Sequence, residues 1–330
     1  MLEQKINSLS APPVPGAPSE MAQRLKAHME EAGLSYAQAA IQTGIPKGTL
    51  GSWLSGTYNG VAENIATKAE KYLESLSVRA KLAQMPSEPK FVETPSSIAF
   101  RAVFEYAQSG PDIGLITGNA GVGKTLTAEK YVESTPNVWL MTADSSMRSP
   151  TAVLRELTEI VDASEKRGPR MMASLIARVK GTRGLIIVDE AQNLQTEAID
   201  LLRTINDRGR IGLVFMGNEP LKGRIEGMGR ATSHAQIFSR IGMRKNCPLP
   251  KINDIWRVLD AWNIQDEGLR KLCRFIGTKA GGLRGMTKTI RYGFVLAGAD
   301  GRTVLEQNDI QKAWKSLTGE ELQSYRSREG

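Results

Sequence analysis

The stretch Ile113-Gly-Leu-Ile-Thr117, followed by Gly118-Asn-Ala-Gly-Val-Gly-Lys-Thr125 and a segment from Leu126 to about Glu133, decides the fold. The first part is a short uncharged run that reads as a buried strand. The second is a glycine-rich loop of the form GxxxxGKT, and the third reads as a helix. Glycines let successive backbone N–H groups wrap an anion, and the N-terminus of the following helix adds its partial positive charge. Gly118, Asn119, Ala120, Gly121, Val122, Gly123, Lys124, Thr125 and Leu126 are therefore the candidate cradle for ATP. In such a loop the lysine, Lys124, reaches the β- and γ-phosphates and the hydroxyl of Thr125 ligates Mg2+.

Further along the chain, Gly184-Leu-Ile-Ile-Val-Asp189-Glu190 is apolar until its last two residues, as expected of a central parallel strand that ends in carboxylates. Ligands of open α/β sheets lie at the carboxyl ends of strands, which is also where the phosphate loop emerges. Asp189 is thereby placed to hold Mg2+ through water, and Glu190 to orient or deprotonate an attacking water, the alternative being that AspGlu only begins a loop. A third strand, Ile211 to Gly217, ends at Asn218. That side chain either bonds the lytic water or γ-phosphate, or simply opens the turn before Glu219-Pro220. Phosphate loop, AspGlu strand and polar strand end recur together in P-loop ATPases of the AAA+ class, which predicts an α/β fold with a parallel sheet and helices on both faces. Phe238-Ser239-Arg240-Ile241, ahead of a strand-like Met243–Leu249, resembles the segment of that class that supplies an arginine finger to the neighbouring subunit; an ordinary surface ion pair is the competing role for Arg240. Gly281-Gly-Leu-Arg284 resembles the sensor-2 arginine at the start of a lid helix, and lid helices are expected near 253–262, 267–277, 284–298 and 307–317.

Ahead of the ATPase, the prolines of residues 1–18 predict a flexible tail. Residues 19–76 read as a helical domain. Ser19 caps a helix to about Ala32 with Met21, Leu25 and Met29 on one side, and Gly33 stops it. Ser35-Tyr-Ala-Gln38 is a capping box that opens a second helix with Ala39, Ala40 and Ile41 expected inward, and Gly44-Ile-Pro46 is a turn. A third helix from Lys47 buries Leu50, Trp53 and Leu54, and a fourth spans about 61–76. Residues 39–54 resemble the phage-repressor type of helix-turn-helix, with Lys47, Gly48, Thr49, Gly51 and Ser52 facing outward, Lys47 and Thr49 being the candidates for DNA contact. The third helix offers one Lys and no Arg or Asn, too little for base-specific readout, so the module positions rather than specifies. A small adaptor that binds protein is the alternative. Residues 77–97, with Pro86, Pro89 and Pro95, read as the linker, followed by an ATPase core over 98–250 and a lid over 251–330.

Charge narrows the partners. The 330 residues carry a formal +8, and the excess is confined to residues 201–330, which hold 23 basic against 13 acidic side chains. A basic balance of this kind favours polyanions. Two cysteines without a CxxC and two isolated histidines argue against a disulfide framework or a zinc site. The apolar runs are too short to cross a bilayer, so no membrane partner and a cytoplasmic location are expected.

From Lys71 to the end, and more loosely through the helical module, the sequence resembles the Mu B family of transposable-phage target-capture ATPases. The resemblance rests on PheValGluThr (91–94), the phosphate loop, AsnValTrp (137–139), residues 184–192 and 210–218, PheSerArgIle (238–241) and LeuArg (283–284). It implies an ATP-dependent, sequence-tolerant protein that polymerises on double-stranded DNA, delivers it to a DDE-type transposase in the host cytoplasm, stimulates strand transfer and leaves DNA after hydrolysis. It also implies DNA contacts from basic loops of the ATPase domain; here these are Arg148, after strand Val138–Thr142, and Lys166, Arg167 and Arg170, with solvated surface charge as the competing explanation. A helicase loader or replication initiator would share the ATPase parts, and a repressor-like regulator switched by nucleotide would share the helix-turn-helix.

Overall fold

A computed structural model of the chain describes residues 19–83, 88–221, 223 and 241–322. It divides into two compact units that part at residues 85/86, inside the expected linker. The expected tail, residues 1–18, lies outside the described residues.

The first unit is a helical bundle whose boundaries follow from its caps. Helix α1 (Glu20–Glu31) starts where the Ser19 side chain accepts the Ala22 N–H. Helix α2 (Tyr36–Thr43) opens on a capping box in which Ser35 and Gln38 satisfy each other's backbone N–H. It ends on Gly44 in the left-handed conformation, and α3 (Lys47–Leu54) follows. Leu25, Leu50, Trp53, Leu54 and Ile45 meet Ile65, Ala69 and Tyr72 of α4 (Ala62–Ala83) in one core. Two expectations change. Ile41 is 84% exposed rather than inward, because Ala39 and Thr43, four residues apart, form the buried stripe of α2 and Ile41 lies between them on the opposite side. Helix α4 also runs seven residues beyond its expected end at 76, since nothing between 76 and 83 breaks a helix.

The second unit is built on five parallel strands in the order β2-β3-β4-β1-β5. They are β1 (Ile113–Thr117), β2 (Val138–Thr142), β3 (Leu185–Asp189), β4 (Gly212–Gly217) and β5 (Ile241–Asn246), the last beginning two residues before and ending three before the expected span. Strands β1, β3 and β4 are buried along their whole length, which is why they read as unbroken apolar runs. Helix α5 (Pro95–Ser109) covers one face with Phe100, Val103, Phe104 and Ala107, joined by α6 (Lys124–Ser134) through Ala128 and Tyr131. Helices α7 (Pro150–Ile160), α8 (Met171–Val179) and α9 (Thr196–Gly209) cover the other. Pro95, expected in the linker, is instead the first residue of α5, behind the buried cap Thr94. The lid helices are α10 (Ile252–Ala261), α11 (Glu267–Gly277), α12 (Gly282–Ala299) and α13 (Gln307–Thr318), close to the four expected spans. Among the described residues no helix is long and apolar enough to cross a membrane.

A buried carboxylate ties lid to core. Asp254 of α10, fully buried, accepts the Ser96 N–H (2.9 Å), the Ser96 hydroxyl (2.6 Å) and the Lys251 N–H (2.7 Å). One side chain thereby joins the first turn of α5 to the first turn of α10. Replacing it by alanine strands three donors, so Asp254→Ala should cost the second unit about 3 kcal/mol, measured by urea unfolding; an unchanged midpoint would mean that water substitutes for the carboxylate.

Candidate active site

Because β1, β3 and β4 are adjacent and parallel, their carboxyl ends open on one edge of the sheet, and the residues singled out there come together. The phosphate loop leaves β1 at Gly118, whose N–H donates to the Gly217 carbonyl at the end of β4 (3.1 Å). The loop is seated by Val122, whose side chain is buried in the core, while Gly121 and Gly123 take positive φ. Lys124, 8% exposed, turns back and donates to the carbonyls of Gly118 (2.7 Å) and Asn119 (3.1 Å). Burial lowers the pKa of its ammonium, opposed by the charges of Asp189 and Glu190, so the charge waits in a place where an anion would gain from it.

The Thr125 hydroxyl donates to Asp189 (2.6 Å), which is 1% exposed and whose other oxygen accepts the Glu190 N–H (2.8 Å). A hydroxyl and a carboxylate side by side at a phosphate loop are hard oxygen donors of the kind Mg2+ shares with substrate phosphates. Among the described residues no group of three or more His, Cys, Asp or Glu side chains could hold a metal alone. Glu190 stands at φ 51°, a left-handed conformation unusual for its type, at the turn where the chain leaves β3.

A cavity of about 650 Å³ lies over the loop. Ala120, Gly121, Gly123, Lys124, Thr125, Leu126, Glu190 and Arg284 line it, so the phosphate loop, one catalytic candidate and the lid arginine share one space. Its remaining walls were not singled out from sequence. Phe91 and Val92, before α5, Val258 of α10 and Trp262 just after it give it an apolar wall, and Lys288 and Arg291 extend the cationic face begun by Arg284 along α12. Arg291 pairs with Glu88 (3.2 Å) across the cavity mouth. Apolar walls together with converging cations suit a nucleotide. PheValGluThr was the available signal for the apolar wall, but nothing in spacing says that it folds over the loop.

The lid meets the loop through a close backbone approach. The Leu283 N–H donates to the Gly121 carbonyl (2.9 Å), and a Cβ on Gly121 would collide with the Gly281 carbonyl oxygen. Glycine is required at 121 by both that approach and its φ of +85°.

Other candidates fall elsewhere. Asn218 does not line the cavity; its N–H donates to the Gln192 side chain (3.3 Å), and its own Oδ1 is buried without a hydrogen-bond partner. Arg240 lies outside the described residues. Arg148 is exposed in the loop after β2, and its carbonyl accepts the Gln195 N–H (3.0 Å). Of the cations between α7 and α8, Arg167 and Arg170 are exposed, whereas Lys166 is held by Glu159 (3.1 Å) and Asp162 (3.0 Å) and anchors its own loop. Lys47 is exposed and Thr49 half-buried on α3.

Comparison with known proteins agrees with this geometry. Residues 107–225 match the model of an AAA domain, and residues 239–317 match that of the C-terminal part of the Mu B transposition protein. The chain is 32% identical to the ATP-dependent target DNA activator B of Escherichia phage Mu, over 91% of this chain and 95% of the relative. It is 35% identical to the Mu-like prophage FluMu DNA transposition protein B of Haemophilus influenzae, over 81% and 93%. Among solved structures, the Aeropyrum pernix ORC1 protein in complex with DNA superimposes with a TM-score of 0.54 at 19% identity, covering 72% of this chain and 69% of that one. The A. pernix ORC2 protein gives 0.52 at 18% identity, covering 70% and 69%, so the fold is that of the AAA+ class.

Gly121→Ala should leave the unit folded but separate lid from loop. The expected readouts are loss of hydrogen-exchange protection at the Leu283 amide and weaker binding of a fluorescent ATP analogue, by roughly tenfold for one lost contact and about 1 kcal/mol of strained φ. Unchanged protection and affinity would show that the lid does not depend on this approach.

Proposed function

Since the chain belongs to the Mu B transposition protein family and is an AAA+ ATPase, we propose that it is a target-DNA activator that binds duplex DNA in its ATP state and presents it to a transposase. The single observation that carries this reading is the likeness, over 91% and 81% of the chain, to two target-DNA and transposition B proteins, with phosphate loop, AspGlu strand end and lid arginine gathered round one cavity. In the host cytoplasm, ATP between adjacent subunits joins them head to tail into a filament on the DNA, and hydrolysis releases them. Contacts of this heterologous kind grow into helices when they fail to close into rings.

The chemistry follows from the residues. Triphosphate oxygens take Lys124 from the carbonyls of Gly118 and Asn119, and Arg284 reaches the γ-phosphate from the lid. Thr125 and Asp189 would hold Mg2+, which would neutralise phosphate charge when bound. Glu190 accepts the proton of the water whose oxygen bonds to the γ-phosphorus as the bond to the ADP oxygen breaks. Asn218 supports this edge of the site, and Arg240 of one subunit completes the site of the next.

DNA binding is read as electrostatic. Arg148, Arg167 and Arg170 contact phosphates, Lys166 keeps its loop in place, and Lys47 and Thr49 of α3 add contacts that read few bases. The test is fluorescence anisotropy with two unrelated duplexes. Affinity should be equal for both within about threefold, rise with a non-hydrolysable ATP analogue, and lose about one unit of salt slope for each of Arg148→Ala, Arg167→Ala and Arg170→Ala. Strong preference for one duplex, independent of nucleotide, would support a site-specific regulator instead. Lys124→Ala should weaken ATP binding by roughly 30-fold or more through loss of a buried charge partner. Glu190→Gln should retain ATP and DNA but hydrolyse roughly 10²–10⁴-fold more slowly; wild-type turnover would remove it from the mechanism.

A further inference from the structure

Gln192 stands between the two strand ends of the site. Its side-chain N–H donates to the carboxylate of Glu190, and its side-chain oxygen accepts the Asn218 N–H (3.3 Å). The orientation of the amide is fixed by its partners, because a carboxylate only accepts and a backbone N–H only donates. The turn that presents it is itself pinned. The Asn193 side chain donates to the Ala143 carbonyl beyond β2 (2.9 Å), and the Asn193 N–H donates to the Glu190 carbonyl (3.0 Å). At the other end Gly217 provides room, since a Cβ there would collide with the Gln192 oxygen.

We propose that Gln192 is the positioning residue of the ATPase: it holds one oxygen of Glu190, leaves the other for water, and references both to the end of β4. This rests on the assignment of Glu190 as the residue that activates water. A general base free to swing spends much of its time out of reach of its proton, so the hydrogen bond that fixes it acts on turnover and not on nucleotide binding.

The experiment is ATP hydrolysis by the full chain on duplex DNA, with ATP affinity measured in parallel. Gln192→Ala should lower kcat roughly 10–100-fold, the range seen when an orienting hydrogen bond is removed, with KM and affinity within about threefold. In a Glu190→Gln background the same change should alter the single-turnover rate less than about twofold, because there is no base left to position. Gln192→Glu keeps the reach and the acceptor for Asn218 but sets an anion against Glu190, and should be at least as slow as Gln192→Ala. Should Gln192→Ala lose ATP affinity, Gln192→Glu decides. Wild-type kcat in Gln192→Glu, or an equal loss from Gln192→Ala in both backgrounds, would overturn the role of Gln192 alone. Wild-type turnover by Glu190→Gln would overturn it together with the assignment on which it rests.

Discussion

The phosphate loop and the lid touch backbone to backbone, with the Leu283 N–H on the Gly121 carbonyl. That approach defines the cavity: the loop forms its floor, and α12, which starts at the contact, carries Arg284, Lys288 and Arg291 along its wall. A nucleotide seated there touches sheet and lid at once. Binding energy from the phosphates can therefore be felt in the orientation of the lid, a necessary condition for ATP to control contacts made elsewhere. Asp254 fixes the first turn of α10 to α5 through Ser96, so the lid is attached at two points, one of them at the phosphate loop.

Charge in the site is arranged in waiting. Lys124 is desolvated and satisfied by carbonyls of its own loop; Asp189 is buried and satisfied by Thr125 and by the N–H of Glu190. Phosphate oxygens can replace the carbonyls on Lys124, while Asp189 keeps the N–H of Glu190, which is how a buried charged site stays folded and still accepts an anion. Glu190 differs. It is exposed to the cavity and held from behind by Gln192, so its position depends on β4 as well as β3.

Local chemistry made much of this legible in the sequence. Ser19, Ser35-Gln38, Gly33 and Gly44 mark the ends of the first helices because capping is decided within a few residues. The phosphate loop and the AspGlu strand end are also local patterns, and a strand buried on both faces carries no polar residues to obscure it. Features that need three-dimensional neighbours were not legible. Ile41 was expected inward on hydropathy, but on so short a helix Ala39 and Thr43 claim the buried stripe. Phe91, Val92 and Trp262 become a pocket wall only when two segments more than 150 residues apart fold over the loop. Gln192 belongs to the stretch 184–192 that carries the family resemblance, but its bond to Asn218 depends on β3 and β4 being neighbours.

The account stands or falls on nucleotide acting as the joint between copies on DNA. Electron microscopy of the purified full chain with duplex DNA, with and without a non-hydrolysable ATP analogue, examines that directly. A nucleotide joint should give a continuous helical coat along the duplex with the analogue and bare DNA without nucleotide. Separate particles and bare DNA at saturating analogue would contradict it.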